Sequence, residues 1–501
     1  MTESKQNKIN NLIKILFTIA SILFAIPSVI YLIQNRTVFQ FGPYFQFLYN
    51  LPISRATQTL LYIFILAILS ILYFVIVKNR KNMFKNAKKM LLFIAIIAII
   101  FVAVLPFTCS DIFYYLGIGR LDSTYHQNPY YTTIKEFVEQ GDNSQYLQTD
   151  KVLAQGYSND WANSTVVYGP VWTLICKLVA SLSFGNIDIG LFVFKLINVL
   201  VHLCNCYLIY KISHKKIFVL LYGLNPFILI EGIACVHNDM FMVLFILIAL
   251  YFLLKKKNLC ISIIFLAMAT AIKYFAIILL PFIIIYYFRE EKPLKRLGRC
   301  VQYGCLFLMV LAISYLFYIQ DAQVLSGLFI QQEKLAKSFY IIITEYFREP
   351  TLSVSTVNQV LLGAFVIIYF FTCIILLNQK KIQFRIEMKK ANYFIMAFLF
   401  LLITNFQPWY IMWLFPLLMW QSADNIKWIP QIAIISEFAN SIFLTYGEGW
   451  KNGTPFTFVF IVGSLGIWIV NQKLKQEERR KKKKEQKGNK RGQGLNVSGI
   501  K

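Results

Sequence analysis

Acidic side chains are scarce in this chain. Asp and Glu together number 24 against 50 Lys and Arg, and there are only 4 histidines. Hydrophobic residues make up 57% of the 501 positions, where soluble domains average about 45–50%, so polar surface is too scarce for a soluble protein. No two of the nine cysteines have CxxC spacing, which argues against a zinc ribbon or a thioredoxin-type redox motif. All but Cys109 fall in apolar stretches, where a small polarizable side chain is ordinary packing, so no disulfide framework is indicated. Internal repeats, common in alternating-access transporters, are not visible either.

What the chain has in abundance is apolar runs of about 20 residues, the length that crosses a hydrocarbon core. We place spans near 11–33, 57–77, 90–107, 188–210, 216–234, 239–254, 259–272, 274–288, 299–319, 356–377, 391–405, 409–421, 428–446 and 455–471. This predicts an all-α polytopic membrane protein, a bundle of about 14 transmembrane helices. The first run, Asn11–Ile33, is too long for a signal-peptide core and lacks a small-residue cleavage site, so it is expected to stay as the first span.

The formal charge of +26 invites a nucleic-acid reading that its distribution rejects. Lysine and arginine cluster in short stretches between apolar runs: 78–89, 211–216, 255–257, 289–296, 380–390 and the tail Arg479–Lys484. With the N-terminus inside, all of them fall on the cytoplasmic side, as the positive-inside rule requires. A cell-membrane location with both termini cytoplasmic follows. The tail suits anionic lipid, is expected to be disordered, and needs no nucleic-acid partner.

The same threading puts the segment after Thr108 outside, where Asp111, Asp122, Glu136, Glu139, Asp142, Asp150 and Asp160 outnumber its cations. Tyr168–Phe184 is apolar enough to resemble a span, but counting it would move every later lysine cluster outside. We therefore read it as an interfacial or re-entrant helix opening at Gly169-Pro170, with Lys177 too costly for a true span. The expected parts are N-terminal spans 1–107, an extracytoplasmic catalytic loop 108–187, a helical bundle 188–471 and the basic tail 472–501.

Four polar groups reach the outer boundary. The first is Cys109-Ser110-Asp111 with Tyr114 and Tyr115. A partly desolvated Asp111 is a stronger base, although Ser110 or Asp111 also suits a helix N-cap. The second is His237-Asn238-Asp239, with Asn225-Pro226 and Glu231 upstream. A turn with a helix cap explains part of it, Pro226 should kink its span, and Glu231 is an intramembrane ionisable residue. The third is Lys273, a lysine on the wrong side for the charge rule, serving either as a snorkelling anchor or as a point charge for a lipid phosphate. The fourth is Gln407-Pro408-Trp409-Tyr410 with Trp413, either belt residues or a platform on which a sugar stacks.

These strings occur in a recognisable order: Ser110-Asp111-Ile112-Phe113-Tyr114-Tyr115, Gly119-Arg120, Asn128-Pro129-Tyr130, Tyr168-Gly169-Pro170-Val171-Trp172, Asn225-Pro226, Glu231, His237-Asn238-Asp239, Lys273 and Gln407-Pro408-Trp409-Tyr410. The series resembles the bacterial polyprenol-phosphate-mannose-dependent mannosyltransferases of the GT-C superfamily, from about Pro106 to Pro416. It departs from them in two spans before the catalytic loop and in a polar insert, Gln140–Asp160. The resemblance implies a GT-C-like bundle whose large outer loop contains interfacial helices. It further implies an inverting transfer of a sugar from a polyprenyl-phosphate donor in the bilayer to an extracytoplasmic glycan, lipid-linked glycan or protein.

In that chemistry Asp111 is the catalytic base. Lys273, His237 or Arg120 neutralises the departing phosphate, and Tyr114, Tyr115, Tyr168, Glu231, Asn238, Asp239, Gln407, Trp409 and Tyr410 contribute to substrate binding. The phosphate leaving group needs charge stabilisation rather than a general acid. No metal or cofactor is required, although Asp111 with Asp239 has the donors for a cation. A lipid-linked-oligosaccharide flippase and a glycan polymerase or ligase are the competing readings.

Overall fold

The computed structural model describes residues 3–35, 54–326, 338, 354–446, 457, 459–474 and 476–477. Among them every regular element is helical, whether α, 3₁₀ or π. Among the described residues three long helices, α1 (Glu3–Asn35), α2 (Arg55–Lys78) and α3 (Ala87–Val102), and the short helix Arg80–Met83 precede residue 108. Asn86 starts α3 by accepting the Lys89 N–H at 2.9 Å. At the far end of α3 the Lys195 ammonium donates to the carbonyls of Val102 and Val104, groups that a helix C-terminus leaves without intrahelical partners. That contact holds the stretch leading to Asp111.

Residues 108–187 fold around α4 (Asp111–Tyr125) and α5 (Pro170–Leu182). They cross so closely that a Cβ on Gly119 would run into the Cys176 carbonyl. Lys177, in the middle of α5, reaches Asp122 of α4 at 2.8 Å, and Tyr318 donates to the same carboxylate at 2.8 Å. Pro170 takes the first helical position of α5, where its missing N–H costs nothing. The segment Tyr168–Phe184, expected to be a helix, contains a 13-residue one packed on α4.

Downstream come α6 (Ile187–Ser213), α7 (Lys216–Gly223), α8 (Asp239–Tyr251), α9 (Leu259–Thr270), α10 (Pro293–Tyr315), α11 (Val354–Asn378), α12 (Phe384–Ala397) and α13 (Ala423–Tyr446). Between α7 and a π-helical turn, Ile228–Ala234, the chain bends by 60°. The bend falls at Asn225-Pro226, where proline lacks an N–H and Asn225 Oδ1 accepts from Phe227 N at 3.1 Å. The core lies along α8, whose Met240, Met242, Val243 and Leu247 are fully buried. By contrast α10 and α11 turn Val301, Leu308, Phe370 and Phe371 outward, as helices facing acyl chains would.

Among the described residues, five helices are long and apolar enough to cross a membrane, at residues 4–33, 56–78, 187–213, 293–315 and 355–378; the bent pair makes a sixth. The expected total of about 14 is not reached by described helices of that kind. The other expected crossings fall on shorter helices, on helices that run into π turns, or on no single helix at all. Residues 409–421, for example, form two 3₁₀ turns, Pro408–Leu414 and Leu418–Trp420. The tail expected from 472 begins inside a helix that runs from Val459 to Leu474, and residues 478–501 lie outside the described residues.

Candidate functional site

The stretch 103–110 turns the chain from α3 into α4 and delivers three polar side chains to one place. Thr108 donates to Glu231 Oε2 at 2.8 Å and to Cys235 Sγ at 3.0 Å. Cys109 Sγ lies 3.3 Å from His237 Nε2. Ser110 occupies the N-cap position of α4 without a side-chain cap bond, so its capping role is not realised. Asp111 opens the helix, is 8% exposed, and has the Tyr115 hydroxyl 3.4 Å from its Oδ2. Burial raises its carboxyl above the ordinary carboxylate range, while His237, Lys273 and the Tyr115 hydroxyl oppose the shift.

His237 arrives from the turn between the π segment and α8. Val236 before it has φ of 59°, a left-handed conformation that a β-branched residue adopts only under strain. Such strain is typical of functional sites, where surrounding structure holds it in place. The turn places the imidazole between two carboxylates, with Nε2 3.0 Å from Glu231 Oε2 and Nδ1 3.8 Å from Asp111 Oδ2. Trp409 stacks on the same ring at a centroid distance of 3.7 Å and an angle of 14°. Asn238 is fully buried, and neither side-chain polar atom has a partner; it sits at the N-cap of α8 but makes no cap bond. An orphaned amide beside a catalytic-type cluster is costly unless a ligand satisfies it.

Asp239 and Lys273 form the second half. Lys273 Nζ meets Asp239 Oδ1 at 2.6 Å, and the Trp413 indole N–H donates to the same oxygen. The ammonium lies 4.3 Å from the Tyr410 ring centre and 5.5 Å from that of Trp413, within cation–π range. Phe275 backs Trp413 at 3.8 Å, almost parallel. Gly169 explains how the segment leading into α5 reaches this point. Its N–H donates to the Ile272 carbonyl at 3.3 Å, Val171 N–H donates to Ala271 at 3.1 Å, and a Cβ at 169 would collide with the Ala271 carbonyl. The Gly-Pro motif therefore docks α5 against the residues just before Lys273.

Asp111, Tyr115, Tyr168, Glu231, His237, Lys273, Asp239, Trp409 and Tyr410 thus converge. Tyr168 joins through its hydroxyl, 3.4 Å from that of Tyr115. Gln407 is buried and donates to Asn405 at 2.8 Å. Tyr114 turns its hydroxyl to the Ser164 carbonyl at 3.0 Å. Arg120 stands apart: nine residues along α4, about 13 Å at the helical rise, it pairs with Asp150 at 2.6 Å. Asp150 also caps the helix Lys151–Tyr157, so this ion pair braces the loop.

Three contributors were missed in the sequence: Glu437 and Asn440 on α13, and Tyr62 on α2. Asn440 donates to Glu231 Oε1 at 3.1 Å, and Tyr62 donates to Glu437 Oε2 at 3.0 Å. The signal was available: a glutamate inside the apolar run 428–446 is the kind of ionisable residue that flags a site.

Cys109, Asp111 and His237 offer three ligand atoms within 4.8 Å of one another. The set suits a cation poorly, because burial holds the Cys109 thiol well above its usual range and metals bind the thiolate. His237 Nε2 is also already engaged by Glu231. The arrangement is better fitted to move a proton: a desolvated carboxylate, an imidazole beside it and a lysine held close by.

The family described as alpha-(1→6)-mannopyranosyltransferase, N-terminal domain, matches residues 16–289. The match takes in the N-terminal spans, which the motif series had left outside, and ends before Gln407. An alpha-(1→6)-mannopyranosyltransferase A of Corynebacterium glutamicum is 27% identical over 132 residues, covering 25% of this chain and 27% of that protein. One of the same name from Mycobacterium tuberculosis is 29% identical over 180 residues, covering 35% of this chain and 34% of that protein. The aligned stretches thus span about a quarter to a third of the length of these curated relatives. No solved structure matches. The family match covers more than half of the chain, and the chain belongs to the alpha-(1→6)-mannopyranosyltransferase family.

Proposed function

We propose that this member of the alpha-(1→6)-mannopyranosyltransferase family transfers mannose, with inversion, from a polyprenyl-phosphate donor to an extracytoplasmic mannose-containing acceptor. The relatives' names support the sugar and the linkage, and the GT-C resemblance supports the lipid donor. The observation that carries the reading is the buried Asp111 carboxylate at the start of α4, 3.8 Å from an imidazole supplied by a distant segment.

In this mechanism Asp111 takes the proton of an acceptor hydroxyl as that oxygen attacks the anomeric carbon. The bond from that carbon to the phosphate oxygen breaks, and the electron pair leaves with the phosphate. A phosphate needs no proton to depart, so the protein's task is to stabilise its charge. Lys273 does this from its place beside Asp239. Asn238 offers an amide to a sugar hydroxyl, and Tyr410 and Trp413 hold the lysine in place. An apolar cavity of about 320 Å³ beside Phe406, lined by Phe400, Trp428 and Phe460, suits an isoprenoid chain whose phosphate end lies near Gln407. Residues 108–187 then form the extracytoplasmic catalytic part, with both termini cytoplasmic.

The test is transfer by the purified protein from polyprenyl-phosphate mannose to a short alpha-(1→6)-linked mannoside, compared with Asp111→Asn. Turnover by the parent, with loss of turnover but retained donor binding in the variant, supports the reading. Undiminished transfer by the variant removes Asp111 from the reaction.

A further inference from the structure

The polar insert Gln140–Asp160, by which this chain departs from the proteins it resembles, is fastened to α4 at three points. Asp150 caps the helix Lys151–Tyr157, its Oδ1 accepting Val152 N–H at 3.1 Å and Leu153 N–H at 3.0 Å. Its Oδ2 accepts Arg120 Nε–H at 2.6 Å and the Tyr125 hydroxyl at 2.9 Å, both from the second half of α4. Gly156 is the second point: a Cβ there would lie 2.8 Å from Gly117 Cα, so the two backbones touch. Just past the helix, Asn159 Nδ2 donates to the Ser110 carbonyl at 2.9 Å. The insert helix therefore runs antiparallel to α4 and leads the chain back to the residue before Asp111.

That last contact falls where α4 lacks a local cap. Ser110 holds the N-cap position, but its side chain makes no cap bond, and its φ of −99° with ψ of 6° is not the extended conformation in which a serine caps. Its carbonyl also accepts Phe113 N–H at 3.0 Å. The Ser110 carbonyl and the Asp111 N–H belong to one rigid peptide plane, so a bond to that oxygen restricts the direction in which the Asp111 side chain leaves the backbone. Asn159 is itself well held: it is buried, and its Oδ1 accepts Trp161 N–H at 2.9 Å, an Asx turn. On the other side of Asp111, Thr108 and Cys109 contact Glu231 and His237. Asp111 thus stands between two anchors, one at the His237 turn and one on the insert.

We propose that Asn159 is a positioning residue for the transfer reaction, and that the insert is the part of the chain that aligns the Asp111 carboxylate with the acceptor hydroxyl. This rests on the reading of Asp111 as the base. Asn159 acts at one remove, through the Ser110–Asp111 peptide. A displacement of about 1 Å at a reacting group can cost about 100-fold in rate, so a single bond that fixes this peptide is enough to matter. Asp150 and Gly156 contribute by holding the insert helix against α4, which brings Asn159 to Ser110 in register.

Asn159→Ser tests this, because a hydroxyl can still accept Trp161 N–H and keep the turn but is too short to reach the Ser110 carbonyl. In the transfer assay kcat should fall about tenfold to 100-fold with the donor KM unchanged. Gly156→Ala, which lifts the insert helix off Gly117, should show the same split. Tyr157→Phe removes a hydroxyl bond to Glu139 on the exposed side of the insert and should keep the parent kcat. A parent-like kcat in Asn159→Ser or Gly156→Ala overturns the positioning role, and an equal loss in Tyr157→Phe overturns its assignment to Asn159. Amide exchange of the full chain is a readout independent of activity. In Asn159→Ser the Phe113 amide, which donates to the Ser110 carbonyl, should exchange about five- to tenfold faster, and unchanged protection there overturns the anchor. If the parent transfers no mannose, the exchange result still decides whether Asn159 holds the start of α4, so failure of the anchor and failure of the proposed function are distinguishable.

Discussion

Lys273 and Asp239, 34 residues apart in the chain, meet at 2.6 Å with the carboxylate wholly buried. Removing one member of a buried pair strands the other's charge, which typically costs about 3–5 kcal/mol. Asp239→Asn and Lys273→Met should each lower the unfolding temperature markedly, and the double variant should recover much of the loss. Donor turnover should be lost in Lys273→Met and in the double variant, because the phosphate has lost its cation. Thermal unfolding of the purified protein, alongside the transfer assay, separates the two effects.

Asp111 should set the acid limb of activity. Burial raises its folded-state carboxyl above the ordinary value, so rate should fall with decreasing pH through a midpoint above about 4. The stability sign is the reverse. A raised folded value stabilises the protein below the unfolded carboxylate range, and that contribution is lost as pH rises through the folded value. At neutral pH the ionised Asp111 therefore costs stability, and Asp111→Asn should unfold at a higher temperature than the parent while turning over at least 100-fold more slowly. A variant that is both slower and less stable would contradict this account.

Gly169→Ala should uncouple the outer loop from the lysine. The added methyl meets the Ala271 backbone, which cannot yield as a side-chain tip can, and overpacking of that kind typically costs about 1–3 kcal/mol. Faster amide exchange over residues 170–182 and 271–274, with a weakened donor KM, is the expected pattern. Unchanged exchange at 271–274 would show that the Gly-Pro contact does not brace Lys273.

Cysteine substitutions at Asn143 and Lys256 test the threading. The first should react with an impermeant thiol reagent added to intact cells, and the second only after permeabilisation. Reaction of both from one side would overturn the assignment of 108–187 to the outside.

The resemblance and the boundary arguments singled out Asp111, Glu231, His237, Lys273 and Trp409 from residue chemistry alone, because polar groups next to apolar runs are expensive and stand out locally. The bend at Asn225-Pro226 was legible for a similar reason, since a proline takes one N–H out of the helical ladder and crowds the preceding turn. Arg120 shows what this reasoning does not reach. Its motif placed it among the phosphate-binding candidates, and in the fold it pairs with Asp150, a partner 30 residues away that no local rule selects.

Composition and charge pattern alone were enough to define a helical, membrane-embedded chain, because apolar runs and lysine placement depend on neighbours along the backbone. Which carboxylate faces which cation was settled by packing. Glu437 and Asn440 belong to α13 and Tyr62 to α2, on either side of the matched motifs; Tyr62 reaches Glu437 and Asn440 reaches Glu231 because the bundle brings those helices together. The number of crossings likewise escaped the apolar runs, since hydropathy cannot distinguish a straight helix from one broken by a π turn, a proline or a stretch of 3₁₀ turns.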